Sequence, residues 1–257
     1  MKLIDTHCHL TGKSDQDIAD IVKRAAESDI SRFVYIGASQ GVESASHAIE
    51  IADKFPSIWA SIGVHPHDAG DYQTCEKIEA LTVHPKVVAI GETGLDYFRD
   101  WAPVADQKTL FNNTISLAKN CKKPLIIHCR EAAEDIMAAL IAGNAKEVGG
   151  VVHCYSEDAE FAKKLADINF LVSFTGNITF KKATALRETL EQIPLSQIML
   201  ETDSPYMAPE PFRGKECEPM YVKIIAETVA KVKNISVEEV ALVTTKNAEQ
   251  FFGLQSD

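Results

Sequence analysis

Residues 2–10 read KLIDTHCHL, a short stretch that contains two histidines two positions apart. In a β-strand, neighbouring side chains point to opposite faces and residues two apart share a face. A strand over KLIDTHC therefore places His7 and His9 together and turns Cys8 to the other side. The alternative, in which all three side chains ligate one soft metal, does not fit this geometry.

Similar runs recur along the whole chain and alternate with stretches of helical periodicity. Eight of them are candidate strands: KLIDTHC (2–8), RFVYIGA (32–38), IWASIGVH (58–65), VVAIGET (87–93), PLIIHCR (124–130), GVVHCYS (150–156), NFLVSFTG (169–176) and IMLETDS (198–204). The stretches between them carry apolar residues at spacings of three and four, and residues 220–254 predict two further helices. The pattern predicts an α/β fold, a (β/α)8 TIM barrel of the metallo-dependent hydrolase type, with residues 1–257 as a single domain.

Composition narrows the class of protein. Hydrophobic residues make up 46% and charged residues 25% of the 257, values typical of globular proteins. Because we find no apolar run long enough for a membrane span and no signal peptide, we predict a cytoplasmic protein without a membrane partner. The net charge of -11 disfavours a broad cationic surface for duplex DNA, so a polyanion would need local cations.

The six cysteines form no CxxC pair, and a chain of this length does not need disulfides to fold. We therefore predict free thiols at all six positions: Cys8, Cys75, Cys121, Cys129, Cys154 and Cys217. Cys129 follows His128 directly and could suggest a thiol nucleophile. Adjacent strand residues diverge, however, which argues against that pair.

The histidines are concentrated where predicted strands end. Six of the eight lie there, whereas His47 and His84 fall in a helix and a loop; the six are His7, His9, His65, His67, His128 and His153. Three carboxylates join them at strand ends: Glu92, Glu201 and Asp203. The carboxyl ends of barrel strands meet at one face, where barrel enzymes place their active sites. Each residue alone has an ordinary structural explanation, but a metal site explains them together.

Four of these histidines together with two of these carboxylates would already be more ligands than one tetrahedral ion needs. We therefore predict two divalent ions, with Glu92 as the bridge; zinc, magnesium and manganese all fit, and iron or nickel would accept the same ligands. Two ions can generate a hydroxide nucleophile and stabilise the oxygens of an in-line displacement, so hydrolysis would need no covalent intermediate. The sequence contains no GxxxxGK[ST] loop or GxGxxG motif for a competing mechanism.

Eight ordered motifs resemble those of the TatD-type metal-dependent deoxyribonucleases, which belong with the amidohydrolase-like barrels: DTHCHL, GVHPH, IGETGLDYF, PLIIHCR, VVHCYS, SFTGNITFK, LETDSPYMAP and NAEQFFGL. The resemblance implies one ion on His7, His9, Glu92 and Asp203, and the other on Glu92, His128 and His153. It implies catalytic roles for Glu92, for Asp203, which would orient or deprotonate the attacking water, and for His65, which would act near the phosphate as donor or acid.

The expected substrate-binding residues are His65, His67, Arg130, Arg213 and Tyr97. For His67 a structural role in its loop is the alternative. Arg130 follows a strand end, and its planar guanidinium suits phosphate. Tyr97, Phe98 and Trp101 could stack on bases of a single-stranded end or could pack the lid of the barrel.

The leading functional hypothesis is a deoxyribonuclease that cleaves phosphodiester bonds with water activated by two metal ions, trimming single-stranded 3′ ends. Its partners would be DNA or nucleotide ends, with no obligate protein partner. The runner-up uses the same ions to hydrolyse an amide, a lactone or an aminoacyl ester. A noncatalytic metal-binding scaffold is the third hypothesis, and the complete set of predicted ligands argues against it.

Overall fold

The computed structural model describes residues 2–39 and 41–254, without the side chains of residues 71–76. Strands and helices alternate through it. The strands are β1 Leu3–Cys8, β2 Ile30–Gly37, β3 Ile58–Ile62, β4 Val87–Asp96, β5 Leu125–Arg130, β6 Gly150–Val152, β7 Phe170–Phe174 and β8 Ile198–Leu200. The helices are α1 Asp15–Glu27, α2 Val42–Lys54, α3 Cys75–Leu81, α4 Val104–Cys121, α5 Ala133–Ala142, α6 Ala159–Ala166, α7 Thr184–Gln192, α8 Val222–Lys233 and α9 Val237–Phe252.

The eight strands belong to one sheet, and their order in the sheet is their order in the chain. Every strand pairing described below is parallel. A parallel sheet in chain order, with helices between successive strands, is the topology of a (β/α)8 TIM barrel. The predicted fold class is confirmed.

The residues fall into two compact units, each described here by itself. The first contains residues Met1–Tyr35, Cys154–Lys163 and Val172–Asp257, and the second contains Ile36–His153 and Lys164–Leu171. The single domain over residues 1–257 stays a prediction.

In the first unit, β1 pairs with β2 and β7 pairs with β8. A bridge from Cys8 to Ser204 joins the end of β1 to the segment after β8. Helix α1 begins at a capping box in which Ser14 and Asp17 bond each other's backbone amides, and its buried face carries Ile18, Ile21 and Ala25. This face matches the predicted periodicity. The two helices predicted near the C-terminus are α8 and α9, which pack on each other and on β1 and β8.

In the second unit, β3, β4, β5 and β6 pair in succession. Two glycines let β4 approach β5 closely. Gly91 has φ 150° and Gly94 has φ 141°, and a Cβ on either would collide with the backbone of β5, at Ile126 or at His128. This close approach sets the distance between Glu92 on β4 and His128 on β5.

Several strands differ in length from the prediction. β3 ends at Ile62, so His65 follows the strand and is not part of it. β6 and β8 contain only three residues each, so His153, Glu201 and Asp203 follow their strands and are not part of them. β4 is longer than expected and runs to Asp96, which places Glu92 inside the strand and not at its end. After β6, Cys154 has φ 46°, a value that extended strands do not allow.

Five cysteines are free thiols, as predicted: Cys8, Cys121, Cys129, Cys154 and Cys217. The side chain of Cys75 lies outside the described residues. Cys8 is buried, and its Sγ lies 3.6 Å from the carbonyl oxygen of Val34 in β2. Burial raises the pKa of the Cys8 thiol well above its ordinary value, so Cys8 packs as a small apolar residue. Across the described ranges, none of the helices has the length and apolar character needed to span a bilayer.

Candidate metal centres

The first unit contains a cluster of three potential metal ligands, His7, His9 and Asp203, which we call the His7 cluster. The Nε2 atoms of His7 and His9 lie 3.3 Å apart, the shared face expected for residues two apart. Asp203 Oδ1 lies 3.7 Å from His7 Nε2 and 3.3 Å from His9 Nε2. Three atoms that can bind one ion therefore converge.

Backbone hydrogen bonds hold the two sides of the His7 cluster together. The amide of Asp203 donates to the His7 carbonyl over 2.9 Å, and the amide of His9 donates to the Ser204 carbonyl over 2.7 Å. Asp203 adopts a positive φ, a conformation that aspartate tolerates better than most residues. The short strand β8 thus ends in a turn that points the carboxylate at both histidines.

Asp5, which was not predicted from the sequence, supports the His7 cluster through hydrogen bonds. Its buried carboxylate accepts hydrogen bonds from Thr202, through the amide at 2.9 Å and the hydroxyl at 2.5 Å, and from the His7 amide at 3.3 Å. Burial raises the pKa of Asp5 to about 8. The side chain links β1 to the segment that carries Asp203. The feature of the sequence that could have indicated Asp5 is the presence of an acidic residue within a predicted strand.

The second unit contains Glu92, His128 and His153, which we call the Glu92 cluster. Glu92 Oε1 lies 2.8 Å from His128 Nδ1 and 2.7 Å from His153 Nε2, and these two nitrogens are 3.5 Å apart. His65 joins at the edge, with Nε2 3.4 Å from the same Glu92 oxygen. Glu92, His128 and His153 form one group whose geometry suits a metal ion.

The electrostatics of the Glu92 cluster favour a bound cation. Burial alone would raise the pKa of Glu92, but His153 and His65 outweigh it and hold that pKa well below its ordinary value. Burial lowers the pKa of His128, yet its hydrogen bonds to Asp96 and Glu92 overcome this effect and raise the pKa. Carboxylates that stabilise a proton on this imidazole would equally stabilise a divalent ion in its place. The residues present therefore fit a metal.

Asp96 is the second residue that sequence reasoning missed. Its Oδ2 lies 3.0 Å from His128 Nε2 and 2.8 Å from His67 Nε2, while its Oδ1 accepts the backbone amides of Phe98 and Arg99 at 3.0 and 2.9 Å. Burial raises the pKa of Asp96, but the hydrogen bonds from His128, Arg99 and His67 lower it overall. Glu92 and Asp96 are four residues apart on β4 and share a face, but the predicted strand ended at residue 93 and did not include Asp96.

His67 lies between Asp96 and Trp101. Besides the hydrogen bond to Asp96, its ring makes an edge contact with Trp101 at 4.4 Å between centroids and with His65 at 4.2 Å. Burial and the neighbouring His65 lower the pKa of His67. A second group that could hold a metal ion consists of His65, His67 and His128. Both roles expected for His67, in structure and at the substrate, stay open.

The three other predicted substrate-binding residues have different surroundings. Arg130 is exposed at the end of β5, with its guanidinium 4.1 Å above the Phe98 ring. Arg213 is exposed in the loop after β8 and lies 4.2 Å over the Phe180 ring. The Tyr97 hydroxyl instead donates to the carboxylate of Asp135 on α5 over 2.7 Å. Tyr97 is thus turned toward α5.

Glu201 has a structural environment. It is buried and accepts the Cys154 amide and the Ser173 hydroxyl, both at 2.7 Å. These bonds tie the segment after β8 to β7 and to the turn that follows His153. Glu201, which was predicted at the end of the eighth strand, therefore links segments within the first unit.

Comparisons with known proteins agree with this description. The family described as TatD related DNase matches residues 4–253. The chain is 42% identical to the "Uncharacterized metal-dependent hydrolase YabD" of Bacillus subtilis (strain 168), over 97% of this chain and 98% of that protein. It is 31% identical to the "3'-5' ssDNA/RNA exonuclease TatD" of Edwardsiella piscicida, over 98% of this chain and 100% of that protein.

The fold is likewise found among solved structures. The crystal structure of YJJV, a TatD homologue from Escherichia coli K12, superposes with a TM-score of 0.90 at 25% identity and covers 98% of each chain. A TIM barrel with clustered imidazole and carboxylate ligands defines a metal-dependent hydrolase. The chain belongs to the TatD related DNase family.

Proposed function

We propose that this chain is a phosphodiesterase that uses two divalent ions to remove nucleotides from single-stranded 3′ ends of DNA. The observation that carries the proposal is the presence of two clusters, each combining imidazole with a carboxylate. One ion would bind His7, His9 and Asp203, and the other would bind Glu92, His128 and His153. Glu92 as a bridge between the ions belongs to the proposal and rests on the family resemblance. The name of the Edwardsiella relative supports the substrate class.

Zinc, manganese or magnesium, when bound, would lower the pKa of water and stabilise negative charge on the phosphoryl oxygens. Asp203 would orient the attacking water and accept its proton, because its carboxylate lies within the first cluster. His65 has its Nε2 3.4 Å from Glu92 Oε1 and would donate a proton or a hydrogen bond to the phosphate. The water oxygen would bond to phosphorus as the bond from phosphorus to the leaving oxygen breaks, and the leaving oxygen would take a proton from His65 or from solvent.

The surface charge favours an end over an intact duplex. The net charge of -11 leaves little attraction for a long polyanion, so binding would depend on local cations such as Arg130 and Arg213. A single-stranded end exposes its bases and its terminal phosphodiester. A cytoplasmic location and the lack of an obligate protein partner remain predictions.

The decisive experiment incubates metal-loaded protein with a single-stranded oligonucleotide labelled at its 5′ end. The proposal predicts a ladder of products shortened from the 3′ end. Glu92→Gln and Asp203→Asn should abolish the ladder, whereas His84→Ala should not, because His84 pairs with Asp53 and belongs to neither cluster. An intact oligonucleotide, together with turnover of an amide, lactone or aminoacyl ester, would reject the nuclease and support the carbonyl hydrolase.

A further inference from the structure

An exposed group of aromatic and cationic side chains follows β4 and borders the Glu92 cluster. We call its four residues, Phe98, Arg99, Trp101 and Arg130, the Trp101 face. The exposed fraction is 66% for Trp101 and 50% for Phe98. Large aromatic rings gain no burial energy while they remain in water, so two exposed rings that both lie near the Arg99 guanidinium indicate a binding role.

Cations are stacked on these rings. The Arg130 guanidinium lies 4.1 Å above Phe98, and the Arg99 guanidinium lies 5.2 Å from Phe98 and 5.4 Å from Trp101. Among the described residues, neither arginine forms an ion pair. Guanidinium groups held against aromatic rings keep their donors available for an anion, and phosphate matches their planar geometry.

The Trp101 face is joined to the Glu92 cluster by direct contacts. Trp101 contacts the His67 ring at 4.4 Å between centroids, and the His67 and His128 rings are 5.9 Å apart. Asp96 hydrogen-bonds both histidines and also accepts the amides of Phe98 and Arg99. One carboxylate thus fixes the loop of the aromatic residues relative to a candidate metal ligand.

We propose that the Trp101 face binds an unpaired nucleobase and its flanking phosphate from single-stranded DNA or RNA, next to the phosphodiester that is cleaved. This inference rests on the proposed function and adds the subsite that recognises the strand. Bases of a duplex are stacked and paired inside the helix, whereas an unpaired base offers its face to an aromatic ring. The charges agree, since the two arginines oppose the overall charge of -11.

The stacking is tested directly by changing Trp101 and the bases of the substrate, each alone and both together. Trp101→Ala and wild-type protein would each be assayed on a normal single-stranded oligonucleotide and on one with abasic nucleotides near its 3′ end. We expect Trp101→Ala to lower kcat/KM on the normal strand by about tenfold to a hundredfold, and by far less on the abasic strand. Trp101→Phe should retain most of the activity. Equal losses on both strands, or no loss on either, would overturn the proposal.

Val104→Ala is the matched control, because Val104 is a nearby exposed apolar residue outside the Trp101 face. It should behave as wild type on both strands. Trp101→Ala could instead change the sedimentation of the protein and lower activity equally on the normal and the abasic strand. The Trp101 face would then be a protein interface, and the nucleobase subsite would be overturned. If wild-type protein cleaved neither an oligonucleotide nor a phosphodiester that lacks bases, the proposed function itself would fail.

Binding without catalysis gives an independent measurement. The sequence has two tryptophans, so Trp59→Phe leaves Trp101 as the single tryptophan fluorophore. In metal-free Trp59→Phe protein, we expect a short single-stranded oligonucleotide to quench this fluorescence and an abasic strand of equal length to quench it several-fold less. In Trp101→Phe protein, Trp59 should not respond. Equal responses to both strands would contradict base stacking even if nuclease activity were present.

Discussion

The Asp96 carboxylate lies 3.0 Å from His128 Nε2, while Nδ1 of the same ring lies 2.8 Å from Glu92. His128 is therefore held between two carboxylates, one inside the Glu92 cluster and one outside it. In metal sites, a carboxylate on the far nitrogen fixes the ring of a ligating histidine and raises its basicity. Asp96 is placed for that role.

Asp96→Asn tests this role through metal affinity. An amide can still hydrogen-bond but lacks the charge, so we expect affinity for one ion to fall by about 10- to 100-fold. Isothermal titration of metal-free protein with zinc or manganese would measure it. Asp53→Asn removes an exposed carboxylate that pairs with His84 and serves as the control. Unchanged affinity in Asp96→Asn would show that Asp96 has no part in the metal site.

Cys8→Ala and His9→Ala separate the two faces of β1. Cys8 is buried behind the strand, so its removal should cost about 1 kcal/mol of stability and leave metal content unchanged. His9 Nε2 belongs to the His7 cluster, so His9→Ala should lose one ion per chain. Elemental analysis after dialysis measures both. Equal metal loss in the two variants would refute the assignment of faces.

Gly94→Ala tests the close approach of β4 to β5. Its φ of 141° is unfavourable for alanine, and the added Cβ would overlap the His128 carbonyl. We expect a loss of at least about 2 kcal/mol in the free energy of unfolding, measured with urea. Gly12 has a positive φ of 77° but open space around it, so Gly12→Ala should cost only about 1 kcal/mol. Comparable losses would mean that steric overlap is unimportant here.

Metal removal should lower thermal stability. Ligand binding to the folded state alone stabilises it by about 2.7 kcal/mol at a hundredfold excess over Kd, which corresponds to roughly 5 °C or more for a protein of this size. We expect the midpoint of thermal unfolding to fall by that amount when a chelator is added. His84→Ala should show the same shift and Glu92→Gln a smaller one. A midpoint insensitive to the chelator would argue against ions bound by the folded chain.

The fold and the convergence of His7 with His9 could be predicted because they depend on local patterns. Alternating apolar strands and amphipathic helices are visible in the sequence, and alternation along β1 places the two imidazoles together. These features require only the periodicity of strand and helix.

The supporting residues could not be predicted because they depend on contacts between distant segments. Asp5 bonds Thr202, and Asp96 bonds His128, across nearly 200 and 32 positions respectively. β6 and β8 end after three residues each, and nothing in the residue type of Cys154 indicates its positive φ. Tyr97 stays a predicted substrate-binding residue, and its hydrogen bond to Asp135 could not be foreseen because it depends on the packing of α5.

The most direct test of the two-metal account measures nucleotide release against the number of ions bound per chain. Metal-free protein would be loaded stepwise with manganese or zinc, and the 3′ shortening of a single-stranded oligonucleotide would be followed at each step. The account predicts that the rate stays low up to one ion per chain and reaches its maximum at two. A maximal rate at one ion, or no nucleotide release at any loading, would contradict it.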